Sequence, residues 1–148
     1  MQNPLTKNNL YLIFLLFIAL GVYLSFIGGY GSDEDTLAMI YVFQRIFYEG
    51  TFASSRFTGY PVAEIGIGFL SHFFGSWAAN LITFLFLVTS LYLFYESLNL
   101  DKKSNKKDLL IFIIICLSNP ILYFDNIEPM DYSWALFFFS FGMFFLKK

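Results

Sequence analysis

An all-α integral membrane fold, with about four transmembrane helices plus two interfacial helices in the first outer loop, is what this sequence predicts. Two observations carry the expectation. Of the 148 residues 57% are hydrophobic and only 14% charged, with 21 Phe and 10 Tyr, and the mean hydropathy is +0.63. Ordinary soluble domains do not have this composition. The apolar residues also gather into runs of membrane-spanning length, separated by segments whose charges sort by sign.

A bilayer core of about 30 Å needs roughly 20 mostly apolar residues in helical form. The first candidate span covers about 10–27 and carries no charge. The second covers about 77–98 and is uncharged except for Glu96 near its end. A third, at about 109–124, is interrupted by Asn119-Pro120, and a fourth, at about 132–146, is short but uncharged. Together they form one membrane domain over residues 1–148. The first run is too long for the apolar region of a signal peptide, and Ser25-Phe26-Ile27-Gly28-Gly29 offers no clean small-x-small cleavage site. An uncleaved anchor is the expectation. The single Cys116 lies in the third span, which excludes an intrachain disulfide.

Lysines orient the spans. Lys7, the cluster Lys102-Lys103-Lys106-Lys107 and the pair Lys147-Lys148 all fall on one side if there are four spans. The positive-inside rule makes that side the cytoplasm and places both chain ends there, in an inner or plasma membrane. Asp33, Glu34, Asp35, Glu49, Glu64, Asp125, Glu128 and Asp131 fall outside, with Arg45 and Arg56 as the cations. An odd number of spans would break this partition.

The outer loop, about 28–76, is far longer than a turn, and loops of that length usually carry structure or function. Ser32 followed by Asp35 reads as a weak capping box, and acids suit the positive end of a helix dipole. From Asp35 to Glu49 no Pro or Gly interrupts, and Gly50 ends the run. Leu37, Ile40, Tyr41, Gln44 and Tyr48 share one face, while Met39, Phe43, Ile46 and Phe47 make the remainder apolar. Such a helix must be covered by protein or lie in the membrane interface. A second surface helix starts at Pro61, a favoured first helical position, and runs to about Phe74 before Gly75-Ser76.

The chemistry-bearing segments are Gly31-Ser32-Asp33-Glu34-Asp35 and Ser55-Arg56-Phe57-Thr58-Gly59-Tyr60-Pro61. Three adjacent carboxylates at a membrane exit repel one another and gain nothing from lipid. A site needing a base, or holding a cation, accounts for them. In their order, these segments resemble the N-terminal part of the GT-C glycosyltransferases, in particular the protein mannosyltransferase and aminoarabinose-transferase group. The resemblance extends through Tyr48-Glu49-Gly50-Thr51-Phe52, Glu64, Ser118-Asn119-Pro120-Ile121-Leu122-Tyr123 and Asp131-Tyr132-Ser133. It covers nearly the whole chain. Members of that family are longer and carry more spans, so the expectation is an N-terminal portion or truncated product, with little activity alone.

The resemblance implies transfer of a sugar from a polyprenyl-phosphate donor to an acceptor on the outer face, with membrane lipids as surroundings. Such chemistry needs a base for the acceptor hydroxyl and cations for the departing lipid phosphate. Asp33 is the candidate base, with Asp35, two residues on, as its alternative; the competing account is helix capping. Arg56 is the candidate donor-phosphate cation, since a guanidinium contacts phosphate oxygens in pairs. Arg45 is less persuasive, because Glu49 four residues on can pair with it. Glu64 is a candidate for holding a divalent metal or orienting the donor, against its ordinary place in a helix first turn. His72 cannot share an ion with it on a continuous helix, because eight residues rise about 12 Å.

Other classes fare worse. Gly66-x-Gly68 lacks the Lys-Ser/Thr ending and preceding strand of a phosphate-binding loop. The basic clusters are short and explained by topology, which leaves no nucleic-acid reading. A non-catalytic assembly or transporter subunit, or an inactive remnant, is the competing expectation. A transporter would place ionisable groups or broken helices within its spans, and only Asn119-Pro120 interrupts one here.

Overall fold

The computed structural model describes residues 7–31, 34–55, 60–98 and 105–147, and the described residues contain helices and no strand. Seven helices follow one another: α1 (Lys7–Ile27), α2 (Glu34–Glu49), α3 (Pro61–Phe74), α4 (Ser76–Leu98), α5 (Lys106–Leu117), α6 (Pro120–Phe124) and α7 (Asp131–Leu146). Two of them, α1 and α4, are long and apolar enough to cross a membrane. Both helices expected in the loop are present as α2 and α3. Ser32, the expected cap of α2, lies outside the described residues, as do Asp33 and Arg56.

The third expected span is not one helix. Pro120 brings no N–H for the helical ladder, so α5 stops at Leu117 and α6 begins at Pro120. Asn119 caps the restart, its Oδ1 accepting from the Ile121 and Leu122 amides at 3.0 and 3.3 Å. The break lets Tyr123 turn into the core, where it is 3% exposed. There its hydroxyl donates to the Phe17 carbonyl at 2.6 Å.

Helix directions follow from the contacts. On α1 and α4, Gly21 meets Phe84, Phe26 stacks on Trp77, and the Asn80 amide donates to the Ser25 and Gly29 carbonyls at 3.2 and 2.7 Å. Numbers falling on one helix as they rise on the other mean an antiparallel pair. On α4 and α7, Thr83 bonds Trp134, Phe86 stacks on Phe137, and the Glu96 carbonyl accepts from the Lys147 ammonium. Those two hydrogen-bonded pairs keep one separation of 51 positions, so α4 and α7 run parallel. Residues of α5–α6 meet α1 in rising order, Lys106 beside Tyr11 and Phe124 beside Leu24. Thus α1, α4, α5–α6 and α7 alternate in direction.

The main core gathers Phe84, Leu87, Leu91, Ile113, Leu117, Tyr123 and Ile127 between α1, α4, α5 and α6. A second core of Met39, Ala63, Ile67, Ala79 and Trp134 joins α2, α3, α4 and α7. The buried face of α2 is Thr36, Met39, Val42 and Phe43, whereas Leu37, Tyr41 and Tyr48 stay exposed. Of its two apolar faces, the one with the Met39–Phe43 step is covered. The Ser71 and Ser140 hydroxyls are buried without a hydrogen-bond partner, but three others bond the backbone of their own helix: Ser25 bonds the Gly21 carbonyl at 2.8 Å, Ser90 that of Leu87 at 2.7 Å, and Ser97 that of Phe94 at 2.7 Å. That is the economical solution where water is absent.

Gly66 and Gly68 prove to be packing residues. A Cβ on Gly66 would lie 2.3 Å from the Trp134 ring, and one on Gly68 would lie 2.2 Å from the Phe43 Cβ and 3.2 Å from the Met39 carbonyl. Their absence lets α3 lie against α7 and α2 at once. Gly142, on α7, has nothing within 4 Å.

Gly68→Ala is expected to destabilise the protein by about 1–3 kcal/mol through overpacking. Gly142→Ala should be neutral or stabilise by about 0.5–1 kcal/mol, because alanine loses less backbone entropy in a helix. Thermal unfolding in detergent, followed by helical circular dichroism, compares the two. Equal midpoints for both variants would mean that α2 and α3 do not pack this closely.

Candidate functional site

Acids open most of the shorter helices: Glu34 and Asp35 in α2, Glu64 in α3, Asp108 in α5 and Asp131 in α7. The helix dipole favours carboxylates there, by about 0.3–1 kcal/mol at exposed positions. What separates them is where the fold puts them. Asp108 lies at the end of the bundle with Lys106 and Lys107. The first turns of α2, α3 and α7 meet at the other end.

Three contacts define that meeting. Thr36 of α2 donates its hydroxyl to the Met130 sulfur at 3.4 Å, just ahead of α7. Gly31, before α2, lies against the Glu128 carboxylate so closely that a Cβ would sit 2.3 Å from Oε2. Tyr60 to Ala63, at the start of α3, face Asp131, Trp134, Ala135 and Phe138 of α7 across an open cavity of about 170 Å³. A second, more polar cavity of about 200 Å³ is bounded by Asp125, Glu128, Met130 and Tyr132.

Glu64 is the unusual acid. Its side chain is 1% exposed. Oε1 accepts from the Ser55 amide at 3.1 Å and the Ser55 hydroxyl at 2.5 Å, while Oε2 is buried without a hydrogen-bond partner. Burying a carboxylate with half its acceptors unused is costly. Ser55 precedes Arg56 in the chain, so the Ser55–Glu64 bonds tie the segment ahead of α3 to the first turn of α3. Asp131 is likewise buried, at 3% exposure. The Ser133 hydroxyl, two residues on, donates to the Asn126 side-chain oxygen, which fastens the 125–130 segment to α7.

Of the residues singled out in the sequence, Asp35 and Glu64 are described, and Asp33 and Arg56 are not. Asp35 is half-buried in the first turn of α2. Among the described residues, no group of three or more His, Cys, Asp and Glu offers a metal a ligand set. His72 points away from any such role, its ring lying 5.0 Å from Phe47 and 5.7 Å from Phe43, between centroids. Arg45 pairs with Glu49 at 3.1 Å along α2, an exposed pair worth little. Sequence reasoning passed over two features, the burial of Asp131 and the Ser55–Glu64 pair. The first looks like any helix-start acid after Pro129-Met130. The second joins residues whose separation gives no helical or strand periodicity.

Ser55→Ala is expected to destabilise the fold by about 1–3 kcal/mol, because Glu64 loses a hydroxyl donor in a buried setting. Glu64→Gln keeps an oxygen for Ser55 and removes a buried ionisable group, so its thermal midpoint should equal or exceed that of the parent. If Glu64→Gln proves as damaging as Ser55→Ala, the charge itself serves the fold, and the case for a functional Glu64 falls.

The chain matches no protein-family model, and comparison with curated proteins and with solved structures yields no match.

Proposed function

We propose that this chain is a four-span membrane protein with its acidic end outside, and that it acts as a glycosyltransferase or its N-terminal portion. It would transfer a sugar from a polyprenyl-phosphate donor to an acceptor at the outer membrane face. The observation that carries this reading is an apolar groove between α3 and α7, lined by the buried Asp131 and next to the helix turn that buries Glu64. A polyprenyl donor is an apolar chain ending in a phosphate. An apolar groove beside carboxylates suits the chain and supplies base groups for the acceptor hydroxyl.

Membrane residence is supported by what α1 leaves uncovered. Leu12, Leu15, Leu16, Leu20 and Tyr23 are exposed on it, a continuous apolar surface that water would not tolerate but lipid would. The alternating directions of α1, α4, α5–α6 and α7 support four crossings. Lys106, Lys107 and Lys147 fall at one end of that bundle, and Glu64, Asp125, Glu128 and Asp131 at the other. The positive-inside rule then assigns the lysine end to the cytoplasm. In this arrangement α2 and α3 lie at the outer surface, with Leu37, Tyr41, Phe69 and Phe73 exposed toward the interface.

In the proposed chemistry Asp33 takes the acceptor proton, with Asp35 as the alternative, and Arg56 steadies the departing lipid phosphate. Glu64 orients the donor or contributes to a divalent-metal site.

Reporter enzymes test the topology directly. A fusion after Lys148 is expected to show the cytoplasmic phenotype and one near Ser54 the outer phenotype. Both on one side would rule out four crossings.

The chemistry is tested in membranes containing the longer protein of which this chain is proposed to be the N-terminal portion, supplied with polyprenyl-phosphate sugars. Asp33→Asn keeps size and helix-capping ability, and transfer should fall by roughly 10²–10⁴-fold if Asp33 is the base. Arg56→Lys should weaken donor use without lowering expression, because the paired geometry is lost. Glu34→Gln is the control, since that carboxylate has no chemical role in the proposal. Retained transfer in Asp33→Asn with loss in Asp35→Asn moves the base by two residues. Full activity in both leaves the acids as helix-start residues only, and the catalytic reading of this loop is wrong.

A further inference from the structure

The end of the bundle opposite the acids holds another cavity, of about 300 Å³, between α1, α4 and α5. Tyr11 and Phe14 form one wall, Val88 and Tyr92 a second, and Leu110 a third, while Lys106 lines it from the first turn of α5. Lys106 is exposed, so its ammonium is accessible at the cavity edge. The positive end of the α5 dipole lies in the same turn, its Lys107 amide already bonded to the Asn105 side chain at 3.1 Å and those of Asp108 and Leu109 to the Asn105 carbonyl, so the dipole and Lys106 supply the positive charge. Lys107 and Lys147 lie at this end as well. Among the described residues the acids here are Asp108, exposed on α5, and Glu96, late in α4, and neither lines the cavity.

We propose that this cavity is a binding site for an anionic phospholipid of the cytoplasmic leaflet. Its acyl chain packs between Phe14, Val88 and Leu110, and its headgroup phosphate meets Lys106 and the α5 N-terminus. The chemistry selects this occupant over others. A small soluble anion gains nothing from aromatic and aliphatic walls. A helix of a second copy, laid over the cavity, would bury Lys106 without an acidic partner. The volume lies at the lower end of ligand pockets, suited to one chain rather than to a protein segment. A zwitterionic lipid fills the walls equally well but sets its own ammonium against Lys106. The proposal rests on the chain's lying in a bilayer and is independent of sugar transfer.

The test uses the full chain in lipid nanodiscs made from equal parts phosphatidylglycerol and phosphatidylcholine, with the retained lipids counted by native mass spectrometry. Phosphatidylglycerol is expected to be enriched on the protein. Lys106→Gln should reduce that enrichment roughly five-fold, the effect of one basic residue near an anionic surface. Val88→Trp, which fills the cavity and leaves the charge, should abolish it. If that variant fails to fold, Tyr92→Ala, which removes an exposed wall, takes its place with the same expectation. Retention at the bulk lipid ratio overturns the proposal. So does a loss in Lys106→Gln with none in the wall variant, which would mean diffuse attraction. Equal loss of both lipids in the wall variant means a chain groove without headgroup preference, and also overturns it. A dimer that excludes lipid from the cavity does the same.

Discussion

The fold depends on how closely α4 can approach α1. Asn80, on α4, is 1% exposed and donates to the Ser25 and Gly29 carbonyls. Carbonyls in the last turn of a helix have no partner within it, so this amide satisfies groups that neither lipid nor an apolar core could. One turn deeper, Phe84 fills the notch at Gly21. With α4 fixed against α1 in this way, its other faces become the walls on which α3, α5 and α7 pack.

The second layer of organisation is the parallel run of α4 and α7. Thr83 to Trp134 and Phe86 to Phe137 hold the two in constant register. Trp134 then reaches into the small core with Met39, Ala63, Ile67 and Ala79, which attaches α3 and α2 to the same scaffold. Glycines at 66 and 68 make that attachment close. The acidic first turns of α2, α3 and α7 therefore meet as a consequence of apolar packing beneath them. Glu64 is kept buried there through its bonds to Ser55.

Polar groups are distributed unevenly in this molecule, and the two ends differ in kind. At the acidic end buried oxygens cluster near short connecting segments. At the lysine end Lys106, Asp108 and Lys147 are exposed, and the cavity between the helices has mainly apolar walls. A long apolar helix such as α1 leaves most of its surface uncovered by the rest of the chain.

By itself the sequence determined the all-helical class, the length of α1 and α4, and the presence of α2 and α3 in the long loop. These follow from local causes: apolar run length, Pro61 at a helix start, Gly50 and Gly75 at helix ends. The Asn119-Pro120 break was visible for the same reason, because a missing N–H acts within one turn. Tertiary structure alone decided which apolar face of α2 is buried, since Met39 and Tyr41 are equally acceptable to periodicity. It also decided that Gly66 and Gly68 serve close packing, and that Glu64, among several helix-start acids, is the one sealed inside with Ser55. Burial of a carboxylate depends on what lies across from it. For Asp131 the neighbours come from the start of α3, far away in the chain, and for Glu64 the partner Ser55 stands at a separation with no helical or strand periodicity, so no local pattern encodes either.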